Sequence, residues 1–317
     1  MKAIIQDRYG PPDVLTLGDI DPPTVGNDDV LVRVRAASVN FGDWAILRGR
    51  PVVLRLATGL RRPKSLVPGV DVAGVVEAVG ADVATIRPGD EVFGRTSGSF
   101  AEYAVSASTR LAPKPANLTF EQAAAVPLAA TTALQGLRDQ GRLEAGQRVL
   151  VIGASGGVGS FAIQIAKAYG AEVTGVCSAR NVELVRSIGA DEVIDYAGDG
   201  INGQRFDLIF QVAGTSSPLA LRRALTPTGT LVLSSGRGRL AGIDRIVTAR
   251  VASAFVAQRL EVFLEHESAA DLLVLKELIE SGHITPAIDR TYPLRDAAEA
   301  VRYVEAGHTS GKVVITV

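Results

Sequence analysis

The chain has 317 residues, with 33 Lys and Arg set against 34 Asp and Glu for a net charge of −1. That length allows two domains and a substantial core, and the balanced charge excludes the basic excess of a nucleic-acid footprint. No apolar run reaches the length of a membrane span, and Met1-Lys-Ala-Ile-Ile-Gln-Asp lacks the apolar core of a secretory signal, so a cytoplasmic location is expected.

In chain order, residues 1–117 read as short Val-dense strands, among them 30–36 and 74–80. Turn signals recur between them at Pro11-Pro12, Pro22-Pro23, Pro68-Gly69 and Pro88-Gly89-Asp90, the pattern of a compact, partly closed β domain. From 118 to 262 strands and helices alternate, with strands over 148–152, 172–177, 192–195, 206–212 and 230–234. That alternation implies a doubly wound parallel sheet. Amphipathic helices follow over 271–279 and 296–306, then a last strand over 312–317 whose composition matches the first stretch. The expected layout is therefore a β domain of 1–117 with 263–317, carrying a nucleotide-binding domain of 118–262 inserted in it. No repeat and no low-complexity segment interrupts the chain. The single cysteine, Cys177, excludes an internal disulfide and a thiolate zinc cluster, and reads as a small apolar residue at a strand end.

The most informative stretch is Val149-Leu-Val-Ile-Gly-Ala-Ser-Gly-Gly-Val-Gly159. A buried strand ends in a small-residue turn, and a helix opens with Val158, Ala162, Ile165 and Tyr169 on one face. Ala154, Gly156 and Gly159 form an alanine variant of the dinucleotide fingerprint, with Ser155, Gly157 and Val158 between them. Missing side chains let the backbone approach a pyrophosphate, and the helix N-terminus supplies amides and a partial positive charge. After the second strand the chain reads Cys177-Ser178-Ala179-Arg180-Asn181, with no acid before Glu183. A cofactor with a free 2′-hydroxyl usually meets an Asp or Glu there. Ser178 can instead hydrogen-bond a phosphate and Arg180 can pair with it, while Tyr196 stacks on the adenine or touches the same phosphate. The expectation is NADPH over NADH; the plainer alternative makes Ser178 a helix cap and Arg180 a solvated charge.

Six motifs in order carry a resemblance over essentially the whole length: Ala37-Ser-Val-Asn40-Phe-Gly-Asp43, Pro68-Gly-Val-Asp-Val-Ala-Gly74, Pro88-Gly-Asp-Glu-Val-Phe-Gly94, Ser99-Phe-Ala-Glu-Tyr103, Ala124-Ala-Val-Pro-Leu-Ala-Ala-Thr-Thr-Ala133 and Gly153-Ala-Ser-Gly-Gly-Val-Gly159. The chain resembles the medium-chain dehydrogenase/reductases, and specifically their zinc-independent quinone oxidoreductase and enone reductase branch. The ending Gly307-His-x-x-Gly-Lys-Val-Val-Ile315 is similar to NADPH-dependent enone reductases. The resemblance implies a GroES-like β domain joined to a Rossmann domain, an active site in the cleft between them, and a homodimer. It also implies cofactor contacts from Thr131, from the loop Val212, Ala213 and Gly214, and from Ser234, Ser235 and Gly236. Gln211 stands where relatives commonly carry an acid, and Ser310 where an arginine often precedes the terminal Gly-Lys.

Departures from the zinc-dependent relatives bear on the chemistry. Where those enzymes place a cysteine and a Gly-His-Glu turn, this chain has Asn40 and Gly69-Val70-Asp71, and the four-cysteine lobe is missing. His266, His283 and His308 all lie in the last fifth of the chain and read as surface or helix-end residues. Without a Lewis acid, hydride addition to an enone or a quinone asks less of the protein than alcohol oxidation, since the product anion is delocalised. Asn40 is the candidate to orient the substrate carbonyl. Asp43 reads as a catalytic group or as the local holder of its loop, Trp44 as a pocket wall or core residue, and Lys64 as a proton relay or a solvated lysine. Two alternatives stay open. One is an enoyl-thioester reductase, with the Arg-rich loop Leu47 to Lys64 binding the phosphates of an acyl-coenzyme A. The other is a non-enzymatic NADPH-binding protein.

Overall fold

The computed structural model describes residues 1–198, 200–201, 203–234 and 257–317. They fall into two units, one of Met1–Ala129, Glu267–Ser281 and Pro286–Val317, the other of Ala130–His266 and Gly282–Thr285. The chain leaves the first unit inside the helix Pro127–Gln135, later than the 117/118 boundary read from composition.

The first unit opens on a hairpin of β1 (Lys2–Ile5) and β2 (Thr16–Asp19). Its main sheet is built from β3 (Asp29–Val39), β4 (Asp71–Val79), β5 (Glu91–Arg95), β6 (Tyr103–Ala107) and β7 (Leu111–Pro113). β6 pairs with β3, and β3, β4, β5 and β7 follow one another antiparallel. Alternating Val30, Val32, Val34, Val72, Val76 and Val92 bury one apolar face, as period-two strands require. Gly74 is needed at the β3–β4 contact because a Cβ there would lie 2.2 Å from the carbonyl oxygen of Arg33.

The second unit holds β8 (Arg148–Ile152), β9 (Glu172–Cys177), β10 (Glu192–Asp195), β11 (Phe206–Gln211), β12 (Leu225–Leu233) and β13 (Arg259–Val262). All pair in parallel in the order β10-β9-β8-β11-β12-β13. The chain runs outward from β8 through β10, then returns to β8's other side with β11. The carboxyl ends of β8 and β11 therefore flank the switch point where open α/β sheets bind ligands. The helix Gly157–Ala168 after β8 is buried nearly all round, rather than along the single stripe its spacing predicts. Its outer side is covered within the same unit: Gln164 donates to the carbonyl of Thr285 and accepts from the Thr285 amide.

The chain then returns to the first unit. The helix Ala269–Glu280 leads on to β14 (Ile288–Pro293), the helix Ala297–Glu305 and β15 (Lys312–Thr316). β15 joins the first sheet, as its composition suggests, pairing antiparallel with β3 and parallel with β14. Leu294, Ala297, Ala300 and Val301 pack with Ile4, Leu47 and Phe100 in a second core cluster of that unit. β13 and β14 have no counterpart in the expected strands; β14 is half-buried and lacks an apolar alternation.

Gly74→Ala is expected to destabilise the first unit by about 1–3 kcal/mol through overpacking against rigid backbone. A thermal melt shows this as a lowered transition; an unchanged one counts against the close approach.

Candidate functional site

The register of three strands gathers a buried polar cluster in the first unit. Ser38 lies opposite Asp71 across β3 and β4, and Val313 lies opposite Val39 across β15 and β3. Lys312, heading β15, therefore arrives beside Asn40, the residue after β3. Its ammonium donates to Asn40 Oδ1 at 2.5 Å and lies 3.5 Å from Asp71 Oδ2. Asn40 Nδ2 donates to Asp71 Oδ2 at 2.9 Å, and Ser38 Oγ donates to the same oxygen at 2.7 Å. The other carboxylate oxygen of Asp71 accepts from the Leu128 amide at 3.0 Å. Ser38, Asn40, Asp71 and Lys312 are all buried.

This arrangement fixes the Asn40 amide. Its oxygen must face the cation and its nitrogen the carboxylate, because an ammonium only donates and a carboxylate only accepts. A bonded ammonium polarises the amide toward stronger donation. Burial pushes the Lys312 ammonium below the usual lysine range, against the opposing pull of the Asp71 and Asp43 carboxylates.

Asp43 does not sit in a loop. It is in the first turn of the helix Phe41–Arg48, where its carboxylate accepts from the Asn40 backbone amide at 2.7 Å. It thus satisfies an amide at the helix start and fixes the backbone from which the Asn40 side chain springs. Burial, helped by the charge of Asp71, pushes the Asp43 carboxyl up to about 7 despite that hydrogen bond. Trp44 meets Phe41 with the rings tilted 41° and their centroids 4.7 Å apart, and packs against the core cluster containing Leu47 and Val301. Lys64 is exposed, and its backbone amide donates to the carbonyl of Thr58. Neither side chain joins the hydrogen bonds around Asn40. Lys312 and Asp71 were not singled out as functional from the sequence. The available signal was a lone cation or anion heading an otherwise apolar strand, at Lys312-Val-Val-Ile and Asp71-Val-Ala.

In the second unit the turn after β8 has the shape its glycines imply. A Cβ on Gly159 would come 2.0 Å from the carbonyl oxygen of Gly153, which makes glycine obligatory where the helix leaves the strand. At Gly156, the helix N-cap, a Cβ would meet nothing nearer than 3.5 Å, so the space beside the turn is open. Ala154 is fully buried and the Ser155 hydroxyl accepts from the side chain of Asn181 at 2.9 Å. Gly157 and Val158 form the first turn of a twelve-residue helix whose leading amides have no intrahelical acceptor. A pyrophosphate fits this cradle.

Beyond β9, Ser178 is half-buried, Arg180 exposed and Asn181 buried. Ser178 precedes a short 3-10 turn, but its hydroxyl makes no capping hydrogen bond, which removes the structural alternative for it. The Tyr196 amide donates to the carbonyl of Cys177, bringing the exposed Tyr196 beside the same strand end. Ser178, Arg180 and Tyr196 can meet a phosphate at this strand end, where Asp195 lies opposite Cys177. The amides of Val212 and Ala213 both donate to the carbonyl of Ile152, which brings the Val212–Gly214 loop against the turn after β8. Ser234 follows β12, its amide donating to the carbonyl of Gln211; Ser235 and Gly236 lie outside the described residues. Thr131 is buried in the helix Pro127–Gln135. Among the described residues no cluster of His, Cys, Asp and Glu has the arrangement of a metal site.

Residues 26–116 match the alcohol dehydrogenase GroES-like domain, and residues 188–315 the zinc-binding dehydrogenase domain. The mouse mitochondrial NAD(P)H oxidoreductase RTN4IP1 is 35% identical over 100% of this chain and 89% of its own length. The chain belongs to the medium-chain dehydrogenase/reductase family. Another member, the chloroplastic NADPH-dependent alkenal/one oxidoreductase of Arabidopsis thaliana, is 35% identical, covering 99% of this chain and 79% of that protein. Of solved family structures, the quinone oxidoreductase from Coxiella burnetii superposes with a TM-score of 0.87 at 30% identity, over 100% of this chain and 99% of that one. A mycobacterial Rv1454c complexed with NADPH gives a TM-score of 0.84 at 28% identity, over the full length of both chains. The fold expectation is met, a GroES-like domain with a Rossmann-type parallel sheet.

Asp43 generates a pH prediction. An acid whose value rises from 3.8 unfolded to about 7 folded binds its proton more tightly in the folded state. Its contribution to stability is full below 3.8 and is lost as pH rises through about 7. Asp43→Asn keeps an oxygen to accept from the Asn40 amide and removes this titration. Unfolding free energy, followed by denaturant melts from pH 4 to 8, is expected to decline less steeply in the variant, by on the order of a few kcal/mol across the window. Parallel profiles for the two proteins would contradict this.

Proposed function

We propose that the chain is a zinc-independent, NADPH-dependent oxidoreductase that delivers hydride to the β-carbon of an α,β-unsaturated carbonyl or to a quinone. The single observation behind this reading is the buried Asn40 amide, clamped between Lys312 and Asp71. Such a group binds a carbonyl oxygen and stabilises the negative charge that develops on it, without titrating and without reorganising. NADPH supplies the hydride when bound. Ser178 and Arg180 hold its 2′-phosphate, and the turn from Ala154 to Gly159 holds its pyrophosphate. The names of relatives acting on alkenals and quinones agree with this substrate class.

The donor set supports the zinc-independent reading. Asn40 and Asp71 stand where zinc relatives carry a cysteine and a Gly-His-Glu turn, and an ammonium already bridges them. Three or four converging soft or imidazole ligands are not assembled there. Oxidation of an unactivated alcohol needs its proton taken by a metal-lowered pKa or a placed base, which an amide does not provide. An enolate or hydroquinone anion spreads its charge within the substrate.

For the cofactor, Arg180→Ala is expected to weaken NADPH binding about tenfold to a hundredfold while leaving NADH nearly unchanged, the loss of one charge-assisted pair. Gly156→Val is expected to fold normally, since its Cβ enters open space, yet to bind both cofactors poorly. Titration by protein fluorescence measures both. Equal affinity of the natural chain for NADH and NADPH would remove the phosphate assignment.

For the chemistry, Asn40→Ala is expected to lower kcat on the order of a hundredfold with enones and quinones, as for an oxyanion-hole donor. NADPH oxidation with such substrates, run beside NADP reduction with benzyl alcohol, tests the reading. Brisk alcohol oxidation with no enone or quinone turnover, or a stoichiometric zinc whose removal abolishes activity, refutes it.

A further inference from the structure

The segment between the helix Phe41–Arg48 and β4 serves neither the Asn40 cluster nor the nucleotide turn. From residue 44 to residue 70 the sequence holds six cations, Arg48, Arg50, Arg55, Arg61, Arg62 and Lys64, and no Asp or Glu. In a chain of net charge −1, that concentration leaves the remainder net acidic. Two of the six are engaged inside the unit. Arg48 pairs with Glu305, and the Arg55 guanidinium lies 4.5 Å above the Tyr9 ring while donating to the Gly49 carbonyl. Arg50, Arg61, Arg62 and Lys64 are exposed.

The apolar side chains of the segment also face outward. Val52, Leu56 and Leu60 are about 70% exposed, at 70%, 71% and 69%, and Val53 and Leu66 are exposed as well. The backbone beneath them is tied down rather than loose. The Tyr9 hydroxyl donates to the Gly59 carbonyl at 2.6 Å and meets the Thr58 hydroxyl at 2.9 Å. The Lys64 amide donates to Thr58, and the Gln6 amide donates to Leu66. The segment is a platform braced by these hydrogen bonds, with Val52, Val53, Leu56, Leu60 and Leu66 turned outward beside its exposed cations. Leaving that much aliphatic surface in water is unfavourable, and exposed clusters of large aliphatic residues mark interaction sites.

We propose that residues 50–66 dock the protein on the surface of an anionic lipid bilayer. The exposed aliphatic side chains enter the boundary between headgroups and acyl chains, and the interleaved guanidinium and ammonium groups meet lipid phosphates and carboxylates. Charge complementarity selects this occupant. Basic residues interspersed with large aliphatic ones form the pattern of interfacial binding, and the acidic remainder of the chain is repelled from the same surface, which orients the protein. Among the described residues no helix is long and apolar enough to cross a membrane; the proposed attachment is peripheral.

Co-sedimentation of the full chain with phosphatidylcholine vesicles, with and without phosphatidylserine, tests this. Binding is expected only with phosphatidylserine present and is weakened by salt. Each cation near the surface contributes about fivefold to the partition coefficient, so the double substitution Arg61→Gln, Arg62→Gln is expected to lose about twenty-five-fold. Leu56→Ser with Leu60→Ser is expected to abolish binding, with an unchanged thermal melt showing that the fold survives. Three results would overturn the proposal: no binding to the anionic vesicles, equal binding to neutral ones, or binding that both variants retain. A lipid-indifferent protein whose sedimentation coefficient falls on Leu56→Ser, Leu60→Ser would show instead that a second copy covers the patch.

Discussion

The first unit is organised around one buried cation. Lys312 is almost fully removed from water, and an ammonium in that position is tolerated only with partners at hand. The cluster draws on three places in the sequence: Asn40 just after β3, Asp71 at the start of β4, and Lys312 itself at the start of β15. Removing one member of such a set strands a charge, typically at a cost of about 3–5 kcal/mol. The cluster therefore acts as a register lock as well as a candidate site. A slip of one residue in β15 against β3 would withdraw the ammonium from its partners and turn the valine face outward.

The same constraint gives the Asn40 amide a defined orientation. In most proteins the two ends of an asparagine side chain are distinguished only by weak neutral hydrogen bonds. Here a cation and an anion sit on opposite ends, and reversing the amide would set donor against donor and acceptor against acceptor. Asp43 completes the arrangement from the backbone side, since its bond to the Asn40 amide determines where the side chain begins. Positional accuracy at Asn40 thus comes from residues that need not touch a substrate.

Much of this architecture was legible in the sequence, and the reasons are local. The parallel sheet announces itself through apolar runs separated by helical segments, and the turn from Ala154 to Gly159 combines strand, glycines and helix in one short span. The return of β15 was legible because its Val-rich composition matches that of β3. What escaped was long-range or unpatterned. β14 is half-buried, with no alternation to mark it. The helix Phe41–Arg48 is short, and its first turn looks like a loop until Asp43 is seen bonding back to Asn40. Lys312 and Asp71 are each unremarkable along the chain and lie 241 positions apart. Only the pairing of β15 and β4 with the same strand makes them neighbours, and no local spacing rule encodes that. Lys64, conversely, attracted notice by residue type alone, and the fold places it on the surface.

The pairing of β15 with β3 also has a consequence for the order in which the protein comes into being. Synthesis runs from the N-terminal side, so β3 emerges well before residues 312–316, which cover the Ala36–Val39 part of its edge. The six described strands of the second unit's sheet are all present once residue 262 has emerged. The nucleotide-binding unit, inserted in the middle of the chain, is thus able to fold first, although it is encoded second. Until β15 emerges, the nascent first sheet carries an open strand edge, and Asp71 lacks its cation. That interval, rather than the finished fold, is where this chain is most exposed to edge-to-edge association and most dependent on chaperones.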